Sequence, residues 1–348
     1  MDALISTRRR ALLLGAAGSA ALAACQRGAE RNVRVHFSGE TMGSVYNVKL
    51  DPSRHDAERL ADVVRRALQS VDERMSLFRP DSELAAFNAA PAGVPVPLSE
   101  DLFAVIAAAQ EISRWSDGAF DATVAPMVES WGFGVHKHRS VPETGEIAAE
   151  RAHVGWQALK LDAARRTAVK TRPRLRLDLN GIACGFAVDR AAEALDALGV
   201  QHYMIEATGE VRVRGHNAAG QAWQIGIEQP DAMPQRARHV VPMAAGAMST
   251  SGDYRNYYEQ DGRRYCHEID PVTGAPISHP LCSVSVVADD CMRADALSTA
   301  LIVLGPERGF ALAEANGIAA QFIRRAGAGR FVDRMTSAFA ALGARTNA

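Results

Sequence analysis

The chain has 348 residues, 47% of them hydrophobic and 23% charged, with a formal net charge of −1. That composition suits one large globular domain or two small ones. It excludes the basic imbalance of a nucleic-acid binder, so no nucleic-acid partner is expected.

The first 25 residues read differently from the rest. A short basic head, MDALISTRRR, precedes an apolar run of 14 residues, Ala11–Ala24. Such a run is too short to span a bilayer and suits a signal-peptide core. Leu22–Cys25, LAAC, resembles the lipobox of bacterial lipoproteins, whose Cys is acylated and becomes the mature N-terminus. Thr7–Leu12, TRRRAL, resembles a twin-arginine export signal, although an ordinary basic leader carries the same arginines. The expectation is a signal peptide over 1–24, lipidation of Cys25, a tether over 25–31 and a folded domain over 32–345. Acyl chains would hold the protein to a membrane without a spanning helix, as an exported lipoprotein facing the periplasm, at the inner membrane rather than the outer. The other cysteines are Cys184, Cys266, Cys282 and Cys291, and their spacing matches no zinc pattern. A disulfide joining Cys282 to Cys291 or Cys266 is one reading, and buried free thiols are the other.

Along the folded part, Arg31–Leu50 alternates like two strands around a turn at Gly39–Gly43. An amphipathic helix follows, with Ala57, Leu60, Val64, Ala67, Leu68, Val71 and Met75 on one stripe. Ser76–Asn88 reads as a loop into a short helix capped by Asp81 or Ser82. A longer helix starts at a Ser99 cap and stops at Gly118. Gly118–Gly134 has no clean period. Leu175–Gly181 alternates Leu175, Leu177 and Leu179 inward like a strand, and runs into a helix at Phe186–Leu198. His202–Gly215, Ala222–Pro230 and Pro280–Asp290 look like further strands, and the C-terminal stretch like a hairpin. There is no repeat, so the fold class is α+β, a single compact domain with mixed or antiparallel sheets flanked by helices.

Four stretches carry more than packing. In LDLNGIACG a strand ends at Asn180–Gly181 and a helix begins at once, which brings bare backbone to a ligand at a helix N-terminus. In SDGAFDATVAP, small residues around Asp121 and the ring of Phe120 can wrap a planar ligand, or simply close a helix. In Ser249–Ile277, His267 lies beside a turn carrying Asp270 and Thr273. In MRADALSTALIVLG, Asp295 and Thr299 stand at i and i+4 on an otherwise apolar helix, so a carboxylate and a hydroxyl share one face. Hard oxygen donors suit Mg²⁺; an Asp making an N-cap or a helix–helix hydrogen bond, with the Thr bonding back to its own helix, is the plain alternative.

In this order, ETMGSVYNV, SLFRPDSELAAFN, DGAFDATVAP, LDLNGIACGFAVDRAAE, ATGEVRVRG, STSGDYRNYYEQDGRRYCHEIDPVTGAPI and ADALSTALIVLG resemble the ApbE-type FAD:protein FMN transferases from about Glu40 to Gly305. The resemblance implies an ApbE-like catalytic domain that moves the FMN moiety of FAD onto a Thr or Ser hydroxyl of an acceptor redox protein, releasing AMP. It implies Mg²⁺ held by Asp295, Thr299 and the Ala183 carbonyl. It implies a flavin nucleotide site of Met42, Phe78, Ala119, Phe120, Asp121, Asn180, Phe186 and Ile269. His267 becomes the candidate base, with Asp270 orienting it or touching the nucleotide. The chain departs from the family at Cys184, where a Lys is frequent, at Thr208, where a Gly is frequent, and at Phe78, where a Tyr is common. The alternatives are a Mg²⁺-dependent FAD pyrophosphatase and a non-catalytic flavin-binding lipoprotein.

Overall fold

The computed structural model describes residues 34–327 and 329–346. The signal peptide, Cys25 and the tether therefore lie outside the described residues. From Arg34 onward the chain folds as one unit. Its backbone is an eight-stranded sheet in the order Val35–Thr41, Ser44–Leu50, Tyr203–Ala207, Glu210–Arg214, Ala245–Gly252, Leu281–Ala288, Ala319–Arg325, Phe331–Met335. Every neighbouring pair is antiparallel. The first hairpin closes on Met42 and Gly43, both at positive φ, a tighter turn than the sequence suggested.

Helices Ala57–Met75, Glu100–Trp115, Ala183–Ala197 and the long Cys291–Ala315 share the main core with this sheet. The amphipathic stripe of the first helix is buried as its period requires, with Leu60 and Val64 fully enclosed. Of the two candidate caps for the short helix Glu83–Ala89, Ser82 takes the role: its hydroxyl accepts from the Ala85 N–H at 3.0 Å. The sheet's other face packs on a three-stranded sheet through Val211, Val213, Met248 and Ile323 against Trp223, Ile225 and Val241. Covered on both sides, Leu281–Ala288 is a near-continuous buried run rather than an alternating one.

Leu175, Leu177 and Leu179 point inward as their alternation predicts, but they belong to no sheet strand. Asn88 takes the place of a neighbouring strand. Its side-chain amide donates to the Leu177 carbonyl at 2.9 Å, and its amide oxygen accepts from the Leu177 N–H at 2.7 Å. The Asp178 N–H donates to the Ala122 carbonyl. The helix that follows starts at Ala183, three residues earlier than the sequence suggested.

The long helix is broken at Gly305, whose φ of 83° is followed by Pro306. All four described cysteines are free thiols. Cys266, Cys282 and Cys291 are buried, and burial pushes the first two up to about 12 and Cys291 well above its ordinary value.

Candidate functional site

The helices Ala183–Ala197 and Cys291–Ala315 are joined by reciprocal carboxylate contacts. Asp189 accepts from the N–H groups of Cys291 and Met292, at 2.9 and 2.8 Å. Asp295 accepts from the Gly185 N–H at 3.0 Å. Each acid thus satisfies donors at the start of the opposite helix, where the dipole favours negative charge. Gly185 makes this approach possible, because a Cβ there would lie 2.4 Å from the Cys291 carbonyl oxygen.

The plain reading holds for Asp295 in one respect, since its bond to the Gly185 N–H joins two helices, and fails in the others. Asp290, not Asp295, caps the helix, accepting from the Arg293 N–H. Ser298, not Thr299, donates back to its own helix, to the Asp295 carbonyl. The Thr299 hydroxyl instead lies 3.2 Å from that of Ser251. A Cβ on Gly181 would come within 3.0 Å of the Thr299 Oγ1 and 3.4 Å of the Phe120 ring. The glycine turn, the hydroxyl and the Phe120 ring therefore meet.

These groups line the floor of a cavity of about 1120 Å³. Of the residues that the family resemblance singled out, Met42, Phe78, Ala119, Phe120, Asp121, Asn180, Ile269, His267, Asp295 and Thr299 line it. Phe78 is at the rim, half exposed. Asp121 is committed within the wall: its carboxylate accepts from Thr123 N–H and O–H and from the Trp156 N–H, so it shapes the loop. Ala183 is buried in the first turn of its helix, behind the lining. Three expected residues stay out of the lining, Ala183 being the first. Phe186 is buried under the Arg190 guanidinium, and Asp270 closes its own turn by accepting from the Val272 N–H at 2.8 Å.

His267 has a defined orientation. Its Nδ1 lies 3.2 Å from the Asn256 carbonyl oxygen. A carbonyl only accepts, so Nδ1 carries the hydrogen in the neutral ring and Nε2 presents its lone pair. The carboxylate of Glu268 lies 3.7 Å from that Nε2, and Phe133 meets the ring edge-on.

The sequence reading left out the acidity of the cavity. Asp178, Glu210 and Glu268 line it beside Asp295. Burial pushes Glu210 up to about 7, and raises Asp178 and Glu268. Burial, and then the charge of Glu210, holds Asp295 well above the carboxylate range. Cys184 is raised by burial and by Glu210 and Asp295. Thr208 sits at a positive φ of 59°, unusual for a β-branched residue, and donates its hydroxyl to Glu210. Glu210 stood in TGEVRV as one acid among many on strands, with no spacing to mark it.

Among the described residues, no group of three or more His, Cys, Asp or Glu side chains is arranged to hold a metal. The donor set is instead mixed: one carboxylate, one hydroxyl and the backbone of the glycine turn. It fits a hard cation that takes its remaining oxygens from water and phosphate. The crowded, desolvated carboxylates favour a positive charge at the same place.

The ApbE family model matches residues 42–322. The chain belongs to the ApbE family. It is 42% identical over 300 residues to a FAD:protein FMN transferase of Vibrio cholerae, covering 85% of this chain and 88% of the relative. A FAD:protein FMN transferase of Haemophilus influenzae is 41% identical over 335 residues, 94% of this chain and 96% of its own. Among solved structures, the apo flavinyl transferase ApbE of Pseudomonas stutzeri superposes with a TM-score of 0.81 at 44% identity, covering 89% of this chain and 96% of that one. The flavin transferase ApbE of Vibrio cholerae gives 0.82 at 39%, covering 89% and 99%. The α+β fold expected from the sequence is the fold of these ApbE proteins.

Proposed function

We propose that this ApbE protein transfers the FMN moiety of FAD to a Thr or Ser hydroxyl of an acceptor redox protein, forming a phosphoester and releasing AMP. One observation carries the reading: Asp295, Thr299 and the Gly181 turn converge on the floor of the cavity that His267 also lines. The family relatives named above carry the same activity in their names.

Asp295, Thr299 and the Ala183 carbonyl would hold Mg²⁺. When bound, it offsets the charge of the diphosphate and of the departing AMP. Phosphoryl transfer needs positioning and charge neutralisation more than covalent help from the protein. Phe120, Met42 and Ile269 supply apolar walls for the flavin ring. The acceptor oxygen attacks the FMN-side phosphorus, the bond from that phosphorus to the AMP oxygen breaks, and the hydroxyl proton passes to His267 Nε2. Glu268 then faces the imidazolium from 3.7 Å. Asp270 is kept for the acceptor turn: it holds the Asp270–Gly274 loop beside His267 rather than touching the nucleotide.

The test combines the soluble domain, FAD, Mg²⁺ and an acceptor domain bearing a flavinylation Thr. Flavin fluorescence on the denatured acceptor band is the expected result. Free FMN and AMP with a dark acceptor band would make the chain a pyrophosphatase, and unchanged FAD would make it a carrier. Asp295→Ala is expected to abolish turnover, and turnover that survives would remove the metal floor from the mechanism.

The same reading places the protein at the periplasmic face of the inner membrane, held by acyl chains on Cys25 after removal of residues 1–24. Its support is the lipobox-like LAAC and the short apolar run before it. Cys25→Ala is expected to move the protein from the membrane fraction to the soluble one.

A further inference from the structure

The floor of the cavity carries Asp178, Glu210 and Asp295 and, among the described residues, no Lys or Arg. A dinucleotide diphosphate is an anion, so any cationic side chain that meets it must stand elsewhere in the lining. The Lys and Arg side chains that line the cavity are Lys137, Arg236 and Arg255. Arg255 is paired with Glu228 at 2.5 Å. Lys137 and Arg236 are exposed, and among the described residues neither has an ion-pair partner.

Both are carried on fixed backbone. The loop bearing Lys137 is folded onto the end of the helix Ala125–Ser130 by Glu129. That carboxylate accepts from the Val135 N–H at 2.9 Å, the His136 N–H at 3.1 Å and the His136 ring. Glycines at 132 and 134 allow the fold: a Cβ would lie 2.2 Å from the His138 carbonyl oxygen at the first and 2.0 Å from the Glu129 carboxylate at the second. Lys137 follows directly. Arg236 directly precedes the strand Ala237–Met243, and its carbonyl accepts from the Gln229 N–H at 2.9 Å.

We propose that Lys137 and Arg236 form a cationic gate at the cavity mouth that recruits the diphosphate of the incoming dinucleotide. The proposal rests on the reading of FAD as substrate. Exposed charges at the mouth of a cavity act chiefly on the association rate, because the steering field falls off with salt over about 8–10 Å.

The experiment is stopped-flow quenching of flavin fluorescence on mixing FAD and Mg²⁺ with the soluble domain, across a series of NaCl concentrations. Lys137→Gln and Arg236→Gln are each expected to slow association about two- to fivefold at low salt, as exposed charges do. The double variant is expected to be slower than either single one and to lose most of its salt dependence. The charge-keeping double variant, Lys137→Arg with Arg236→Lys, is expected to behave like the parent. A neutral double variant that binds as fast as the parent at every salt concentration would overturn the gate. A charge-keeping variant as slow as the neutral one would overturn it too, since shape rather than charge would then be at work. Failure of the parent itself to bind FAD would instead overturn the transferase reading, and the gate with it.

Discussion

At the scale of single residues, His267 is the most exacting position. Its hydrogen bond to the Asn256 carbonyl selects the tautomer with a free Nε2, and Glu268 waits for the charge that a captured proton creates. His267→Ala is therefore expected to lower the rate of transfer by about 10²–10⁴-fold, the usual worth of a positioned base. FAD affinity, read by equilibrium fluorescence, should change little; an equal loss in both would take His267 out of the chemistry. Sequence alone singled out Asp295 and Thr299 because each is chemically out of place on an apolar helix, whereas the family resemblance made His267 the candidate base. It misplaced Asp270, since a carboxylate in a turn looks the same whether it faces a ligand or its own backbone. It passed over Lys137 and Arg236 as part of the cavity, because a lone surface cation has no local pattern and acquires its meaning only from what lies across the opening.

Among elements, the pairing of the two helices decides where the face carrying Asp295 and Thr299 points. Gly185 leaves the Cys291 carbonyl no room for a side chain. Gly185→Ala must push the helices apart at the point where Asp295 takes its N–H bond. A cost of about 1–3 kcal/mol is expected from overpacking, together with a smaller stabilisation by Mg²⁺. Urea unfolding with and without Mg²⁺ reads both quantities, and an unchanged Mg²⁺ response would show that the helix contact does not aim Asp295. Element boundaries were legible where capping chemistry is local, as at Ser82 and Ser99. The run Leu175–Leu179 was legible in its inward period but not in its partner. Alternation reports which side chains are buried, whereas the ladder was completed by the side chain of Asn88, far away in sequence.

For the whole molecule, the buried acids tie stability to pH. The Glu210 carboxyl titrates at about 7 in the fold and at 4.5 when exposed. Between those values the folded protein holds a proton that the unfolded chain has released, so stability falls as pH rises through this window. Asp295 is shifted in the same direction. The metal-free protein is expected to show a Tm that declines from pH 4.5 to pH 7 and beyond. Mg²⁺ should raise Tm more above pH 7 than below pH 4.5, since only the ionised acids attract it. A Tm indifferent to Mg²⁺ at every pH would argue against the cation site. The three enclosed thiols have a different consequence. Cys266, Cys282 and Cys291 are shut away as protonated sulfhydryls, and nucleophilic exchange needs a thiolate. Maturation accordingly waits on no oxidase or isomerase. The same native structure is reachable under reducing and under oxidising conditions without rearrangement.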